Sequence, residues 1–254
     1  MESLSLEGRI ALVTGAGSGM GAAHAAILAE RGAHVIVQDV EKDSRAERSV
    51  AHIRAAGGRA EAMQADVSDA PRLSAQIADA IGRHGVIDIL VNNAGISGLQ
   101  MPFLEINEAF FDRMFAVHVK GAFFTSQAVI PAMRARGYGK IINIASNFAM
   151  HGGSGMAHYT SAKGALLGLT KALAKEFGPD GVRINAVAPG LVRTPMTERL
   201  GDEGFETFAG NVPLRRLARP RDVAETVAFL AAPASDMITG QTVAPSGGDP
   251  IVGI

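Results

Sequence analysis

Tyr159 and Lys163 stand four residues apart in Tyr159-Thr160-Ser161-Ala162-Lys163, and Ser146 precedes the tyrosine by thirteen positions. On a helix that spacing puts both side chains on one face, with the lysine ammonium beside the phenol. A free tyrosine ionises near pH ~10. A nearby cation favours the phenolate and lowers that value, making tyrosine usable as an acid or base near neutrality. Ser146 can then hold the oxygen of a carbonyl or alcohol while Tyr159 exchanges its proton. A Tyr/Lys pair at helical spacing is by itself more often a surface pair. Here it lies downstream of a glycine-rich turn, Thr14-Gly15-Ala16-Gly17-Ser18-Gly19-Met20-Gly21. With a dinucleotide at that turn, hydride transfer is the natural reaction.

The glycines follow an apolar strand pattern and open a helical one. Their missing side chains let the backbone approach a pyrophosphate, whose charge is favoured at a helix N-terminus. Gly15, Ser18, Gly19, Met20 and Gly21 are the candidate contacts. Asp39 ends the second strand pattern, 24 residues after Gly15. An acidic group there accepts hydrogen bonds from the adenosine ribose and repels a 2′-phosphate, which favours NAD over NADP. The plainer reading is that Asp39 caps the next helix. Lys42 and Arg45 lie nearby without occupying the strand end.

These residues need a scaffold, and the chain has the pattern of one. Short apolar runs at residues 9–14, 34–38, 59–64, 87–91, 140–145, 182–187 and 241–244 predict strands. Helical patterns fall between them at about 19–31, 44–56, 70–83, 107–134, 159–177 and 221–231. Continuous apolar strands alternating with helices mark a parallel sheet covered on both faces. Residues 191–215 break the rhythm with Gly, Pro, Thr and charge, as a mobile lid or binding loop does. The reading is one α/β domain over residues 1–254.

Composition narrows the possibilities further. The 254 residues are 47% hydrophobic and 19% charged, enough for a buried core. A net charge of −1 gives no global pull toward nucleic acid or an anionic membrane. There are no cysteines, which excludes disulfides, thiolate catalysis and cysteine-based zinc sites. His151 and His158 lie near Ser146 and Tyr159, but no Gly-x-Ser-x-Gly elbow and no acidic-histidine ligand spacing accompany them, so neither a hydrolase nor a metal site is expected. Neither a signal peptide nor a membrane span is indicated, and a cytoplasmic location is the default.

In this order the motifs resemble the short-chain dehydrogenase/reductase family in its single-domain form: the glycine turn, Asp66-Val67, Asn92-Asn93-Ala94-Gly95, Ser146, Tyr159 with Lys163, and Pro189-Gly190. The resemblance covers essentially the whole chain. It implies a three-layer Rossmann fold with a parallel seven-stranded sheet and a homotetramer joined through helix faces in 107–134 and 157–177. It implies that Asp66 and Val67 hold the adenine, and that Asn93, Ala94 and Gly95 line the cofactor channel. Lys163 would bind the nicotinamide ribose while tuning Tyr159, with Pro189, Gly190, Val192 and Thr194 around the carboxamide. One position departs from the family. His118 stands where an asparagine usually supports a water-mediated proton path to the lysine. If a backbone carbonyl does that work, His118 preserves the path; if a side chain is needed, an imidazole that titrates near neutrality must substitute.

Phe148, Met150, Met156, Leu191 and Met196 join Ser146 as candidate substrate contacts. They suggest a neutral, fairly hydrophobic or cyclic secondary alcohol or ketone. The expected function is an NAD-dependent alcohol dehydrogenase or ketone reductase with Tyr159 as acid/base. The alternatives are a reductase of 3-oxoacyl thioesters on an acyl carrier protein and a catalytically silent dinucleotide-binding protein.

Overall fold

The computed structural model describes residues 2–40 and 44–251. Seven strands form one sheet: β1 (Ile10–Thr14), β2 (His34–Asp39), β3 (Arg59–Gln64), β4 (Ile89–Asn92), β5 (Gly139–Ile144), β6 (Val182–Val187) and β7 (Thr242–Val243). Their order across the sheet is β3-β2-β1-β4-β5-β6-β7, and each adjacent pair is parallel. The helices are α1 (Gly19–Glu30), α2 (Arg45–Ala55), α3 (Ala70–His84), α4 (Glu108–Phe115), α5 (Gly121–Arg136), α6 (Phe148–His151), α7 (Ala157–Phe177), α8 (Gly201–Asn211) and α9 (Pro220–Ala231). The doubly wound α/β reading holds.

Strand alternation divides the core into two layers, because successive side chains leave a strand on opposite faces. Ala11, Val13, Val35, Val37, Ile89 and Val91 pack against α1, α2 and α9. Leu12, Ile36, Leu90 and Ile141 pack against α3 and α5 on the other side. Every described strand runs the same way, so their carboxyl ends share one edge. The order reverses between β1 and β4, and that switch point is where such sheets open a crevice for ligands.

Three local features differ from the sequence reading. The pattern over 107–134 is not one helix: α4 and α5 are separated by a π turn, Ala116–Lys120, where the Gly121 N–H reaches back five residues to Ala116. A π turn inserts an extra residue and re-aims the side chains around it, and His118 lies in its middle. Residues 191–215, expected as an irregular loop, contain α8 with buried Phe205 on its inner face. Its first turn holds Asp202 and Glu203, which suit a helix N-terminus. The short α6 after Ser146 is too brief for a periodic signal.

The turn between β1 and α1 is closed by backbone proximity. A Cβ on Gly21 would collide with the Gly15 carbonyl and lie 2.5 Å from Asn93 Nδ2. Gly82, inside α3, has open space instead. Gly21→Ala is therefore expected to lose roughly 1–3 kcal/mol of stability through overpacking. Gly82→Ala should gain about 0.5–1 kcal/mol from reduced backbone freedom in the unfolded chain. Denaturant unfolding of the two variants measures both, and a neutral Gly21→Ala would contradict the tight closure.

Candidate active site

The site collects at the carboxyl edge of the sheet. Ser146 follows β5, and Tyr159 and Lys163 lie on the first turns of α7, which packs along β5 and β6. Two buried polar links seat that helix. Asn143 Nδ2 donates to Thr170 Oγ1 at 2.9 Å, and Lys163 Nζ donates to the Ile144 carbonyl at 2.7 Å. Asn92, the register partner of Asn143, donates to Asn143 Oδ1 at 2.8 Å and to Ser126 Oγ at 3.0 Å, tying α5 into the same network.

Tyr159 stands among the residues expected around it. His118 meets its ring edge-on at 5.6 Å between centroids, Phe148 does so at 6.3 Å, and the Lys163 ammonium lies 5.7 Å from the ring centre. The Ser146 hydroxyl lies on the phenol side of this corner and favours the ionised form of that phenol. Ser146 Oγ donates to Asn147 Oδ1 at 3.2 Å and accepts from the Phe148 N–H at 3.2 Å.

Enclosure of the site acts against the expected lowering of the tyrosine pKa. Burial raises the Tyr159 phenol above its ordinary value, and the nearby Ser146 hydroxyl offsets only part of the rise. Burial also lowers Lys163 to about 7, so at neutral pH the lysine carries only part of its charge. His118 is affected too. Burial first, then the Lys163 charge, push it well below the ordinary imidazole range, so it stays neutral rather than titrating near pH 7. Its Nε2 lies 3.0 Å from the Ile96 carbonyl and 3.1 Å from the Ile96 N–H, and one tautomer serves one of them at a time. Nδ1 is buried with no partner among the described residues.

At the nucleotide end, Asp39 bonds back to the glycine turn: Oδ2 accepts from the Gly17 N–H and Oδ1 from the Val40 N–H, each at 2.7 Å. It does not cap α2, whose N-cap residue is Ser44. Lys42 lies outside the described residues. Ser18 precedes α1 without using its side chain as a cap, and the first turn carries no acidic residue. The first-turn amides of Gly19, Met20 and Gly21 have no partners within the helix. These donors fit a dinucleotide pyrophosphate.

Asn93, expected in the cofactor channel, directs its side-chain amide into the glycine turn, donating to the Thr14 carbonyl at 2.9 Å and the Gly15 carbonyl at 3.2 Å. Ala94 closes against Gly15, and Gly95 leaves room for the His118 ring. Asp66 and Val67 follow β3. The Asp66 carboxylate accepts from Ser68 and pairs with Arg113 at 3.0 Å, and Val67 packs on Gly121. Pro189 accepts from the Asn147 N–H, Gly190 packs on Ser246, and Thr194 lies over Gly19. Val192 is buried and bridges to Ala218. Met156 and Phe148 approach each other around Gly153, and Met150 and Leu191 are half-buried nearby in sequence. Met196 is 46% exposed.

Sequence reasoning missed Gln38 and Asp249. Gln38 accepts from the Gly15 N–H at 3.3 Å and donates to the Ala65 carbonyl at 2.6 Å, linking the turn to the end of β3. A buried polar side chain within an otherwise apolar strand needs such partners, and Gln38 after Val35-Ile36-Val37 was the available signal. Asp249 accepts from Asn147 Nδ2 through its carbonyl at 3.2 Å, a contact across the fold that no local pattern marks.

A family model described as enoyl-(acyl carrier protein) reductase matches residues 15–249. The chain is 35% identical over 245 residues to the 3-oxoacyl-[acyl-carrier-protein] reductase FabG of Thermotoga maritima, covering 96% of this chain and 99% of that protein. A gluconate 5-dehydrogenase from Burkholderia cenocepacia, solved in complex with NADP and tartrate, superposes with a TM-score of 0.93 at 33% identity, over 99% of both chains. A 7α-hydroxysteroid dehydrogenase complexed with NADH and 7-oxo glycochenodeoxycholic acid gives 0.92 at 36% identity, over 97% of this chain and 96% of the other.

The burial of Lys163 has a measurable consequence. Its folded pKa lies below its unfolded one, so between about pH 7 and the free-lysine value near ~10.4 the unfolded chain binds more protons. This group therefore makes stability rise with pH through that window, by at most ~1.4 kcal/mol per unit. Lys163→Met removes the titration. Denaturant unfolding at pH 7 and 9 is expected to give a smaller rise for the variant than for the parent, and equal rises would refute the assignment.

Proposed function

The chain belongs to the short-chain dehydrogenase/reductase family, and from that premise we propose that it is an NAD-dependent enzyme interconverting a secondary alcohol and a ketone. Membership makes it an oxidoreductase. The observation that supports the finer reading is the buried corner holding Ser146, Tyr159, Lys163 and His118 around one phenol.

When bound, the nicotinamide donates or accepts the hydride. The chain handles the oxygen and its proton. In reduction, Ser146 holds the carbonyl oxygen and Tyr159 gives its phenolic proton as the alcohol forms; in oxidation, the phenolate takes the hydroxyl proton. Lys163 and His118 lie behind Tyr159, where a proton can be replaced. His118 fills the relay position through the Ile96 backbone and its neutral imidazole, which donates at one nitrogen and accepts at the other. The adenosine end rests on Asp39, Asp66 and Val67, and the nicotinamide end on Lys163, Gly190, Val192 and Thr194. Asp39 supports NAD, because its carboxylate already faces the glycine turn where a 2′-phosphate would add like charge. Structural neighbours are known with either cofactor, so Asp39 decides the proposal.

Phe148 and Met156 give the pocket an apolar wall, which suits a neutral hydrophobic or cyclic substrate. The bile-acid ketone in the hydroxysteroid dehydrogenase complex has such a hydrophobic ring system, with a carboxylic acid at its far end. Reduction of a 3-oxoacyl thioester on a carrier is the second reading, favoured by the likeness to FabG. Self-association is proposed through α5 and α7, where Phe123, Ile130, Pro131, Leu169 and Leu173 line a surface groove of about 610 Å³.

Reduced-nicotinamide absorbance with NAD and a panel of aliphatic, cyclic and aromatic secondary alcohols tests the proposal. Tyr159→Phe is expected to abolish turnover, and activity surviving that change would remove Tyr159 from its role. Asp39→Ala should shift the NAD/NADP ratio of kcat/KM toward NADP. His118→Asn should keep most activity, while His118→Leu lowers kcat by roughly 10²-fold or more, the range of a proton-transfer contribution. Equal rates for parent and His118→Leu would leave the relay to backbone alone. Carrier-bound 3-oxoacyl substrates with NADPH outperforming the whole panel would favour the second reading.

A further inference from the structure

At the opposite edge of the sheet, three residues converge that have no part in this chemistry. His34 opens β2, Glu61 is the third residue of β3 and His84 ends α3. Glu61 is the register partner of Ile36, which packs in the α3-side core, so these side chains leave the sheet toward the end of that helix. One nitrogen from each imidazole and one carboxylate oxygen lie within 4.8 Å of one another. His84 Nε2 is 3.0 Å from Glu61 Oε1, and the two imidazole rings are 5.0 Å apart at 49°. His34 Nε2 is buried with no hydrogen-bond partner among the described residues.

We propose that His34, Glu61 and His84 form a binding site for a divalent transition-metal ion, zinc by its ligand chemistry. Two imidazoles and a carboxylate are a recurrent zinc donor set, completed by water. Zn–N and Zn–O bonds of about 2.0–2.2 Å bring ligand atoms to roughly 3.3 Å from one another. The His84–Glu61 pair already meets that spacing, and rotation of the unpartnered His34 ring supplies the third ligand. Binding replaces the His84–Glu61 hydrogen bond and takes the neutral imidazole in the tautomer that carries its proton on Nδ1 and leaves the Nε2 lone pair for the ion.

The surroundings suit a ligated carboxylate. Arg83 donates to both Glu61 oxygens, at 3.0 and 2.8 Å, and to Asp79 at 3.1 Å. It can release one Glu61 oxygen to the ion and orient the other, as outer partners of metal ligands do. The nearby cations Arg54 and Arg59 are directed at the Ala60 carbonyl and at Glu7. His84 and Glu61 side chains are 18% and 23% exposed, so an ion reaches them from solvent. No motif spacing announces the site, because its ligands come from three elements. An ion there would clasp β2, β3 and the end of α3, and stabilise the nucleotide half without touching turnover.

Calorimetric titration of chelator-treated full-length protein with zinc chloride tests this. One saturable site per chain is expected, with affinity lowered about 100-fold or more in His34→Gln and His84→Gln, at least the loss seen when outer partners are removed. His52→Gln, on the exposed face of α2, should bind as the parent does. Cobalt chloride should give visible d–d absorption in the parent that is lost in both ligand variants. In the unaltered protein, zinc at ~100-fold over its Kd should raise Tm by several degrees, and a chelator should reverse it. That arm decides the matter even if a variant fails to fold. No saturable binding, binding unchanged in both ligand variants, or binding without a rise in Tm would each overturn the site.

Discussion

Helix α7 is seated on the sheet by polar contacts inside an otherwise apolar interface, and the geometry of the site follows from that seating. Apolar packing alone tolerates small slides along a helix axis. A hydrogen bond between buried partners does not, because a shifted helix would leave donors and acceptors unpaired in low dielectric. The Asn143–Thr170 bond fixes one point and the Lys163–Ile144 bond fixes another, two turns apart on the same helix. With both made, Tyr159 has one position relative to Ser146, since the serine follows the strand that supplies both anchoring points. The Asn92 amide extends the constraint to α5, which carries the π turn and His118 on its N-terminal side.

The glycine turn is held by the same logic in a different form. Its backbone groups are bonded from outside: Asn93 takes the Thr14 and Gly15 carbonyls, Asp39 and Gln38 take the Gly17 and Gly15 N–H groups, and Thr14 Oγ1 accepts from both Asn93 and Ala94. Residues from β1, β2 and the end of β4 thereby define the mouth of one crevice. The Asn93 amide serves the turn directly, fixing the backbone at the position where the cofactor channel is expected.

The parts of this arrangement that depend on periodicity could be read from the residues. Continuous apolar runs flanked by helical patterns locate the strands, because every central strand here is covered on both faces. The Tyr159–Lys163 spacing locates the reactive face for the same reason. What escaped depends on contacts between distant segments. Helix α8 was hidden by a sequence rich in glycine and charge, and burying Phe205 gives it an inner face. The π turn at Ala116–Lys120 looks like ordinary helix in one dimension, since the extra residue changes winding and not composition. The direction of the tyrosine shift escaped because spacing reports that a lysine is near, but not that the same enclosure opposes charge on both groups.

That last point changes how the site has to be understood. Lys163, His118 and Tyr159 are each pushed by burial toward the uncharged form. A fixed ammonium would hold the phenol ionised in the resting protein; this corner instead holds a protonated phenol beside a lysine poised near neutrality. Such a pair responds together, because any positive charge brought into the enclosure favours the phenolate and any negative charge favours the ammonium. The resting arrangement keeps the proton on the Tyr159 phenol, because burial acts against its ionised form. His118, bonded at Nε2 to the Ile96 backbone, belongs to the same enclosure, so the burial that governs the phenol and the ammonium also suppresses the charge of the imidazole.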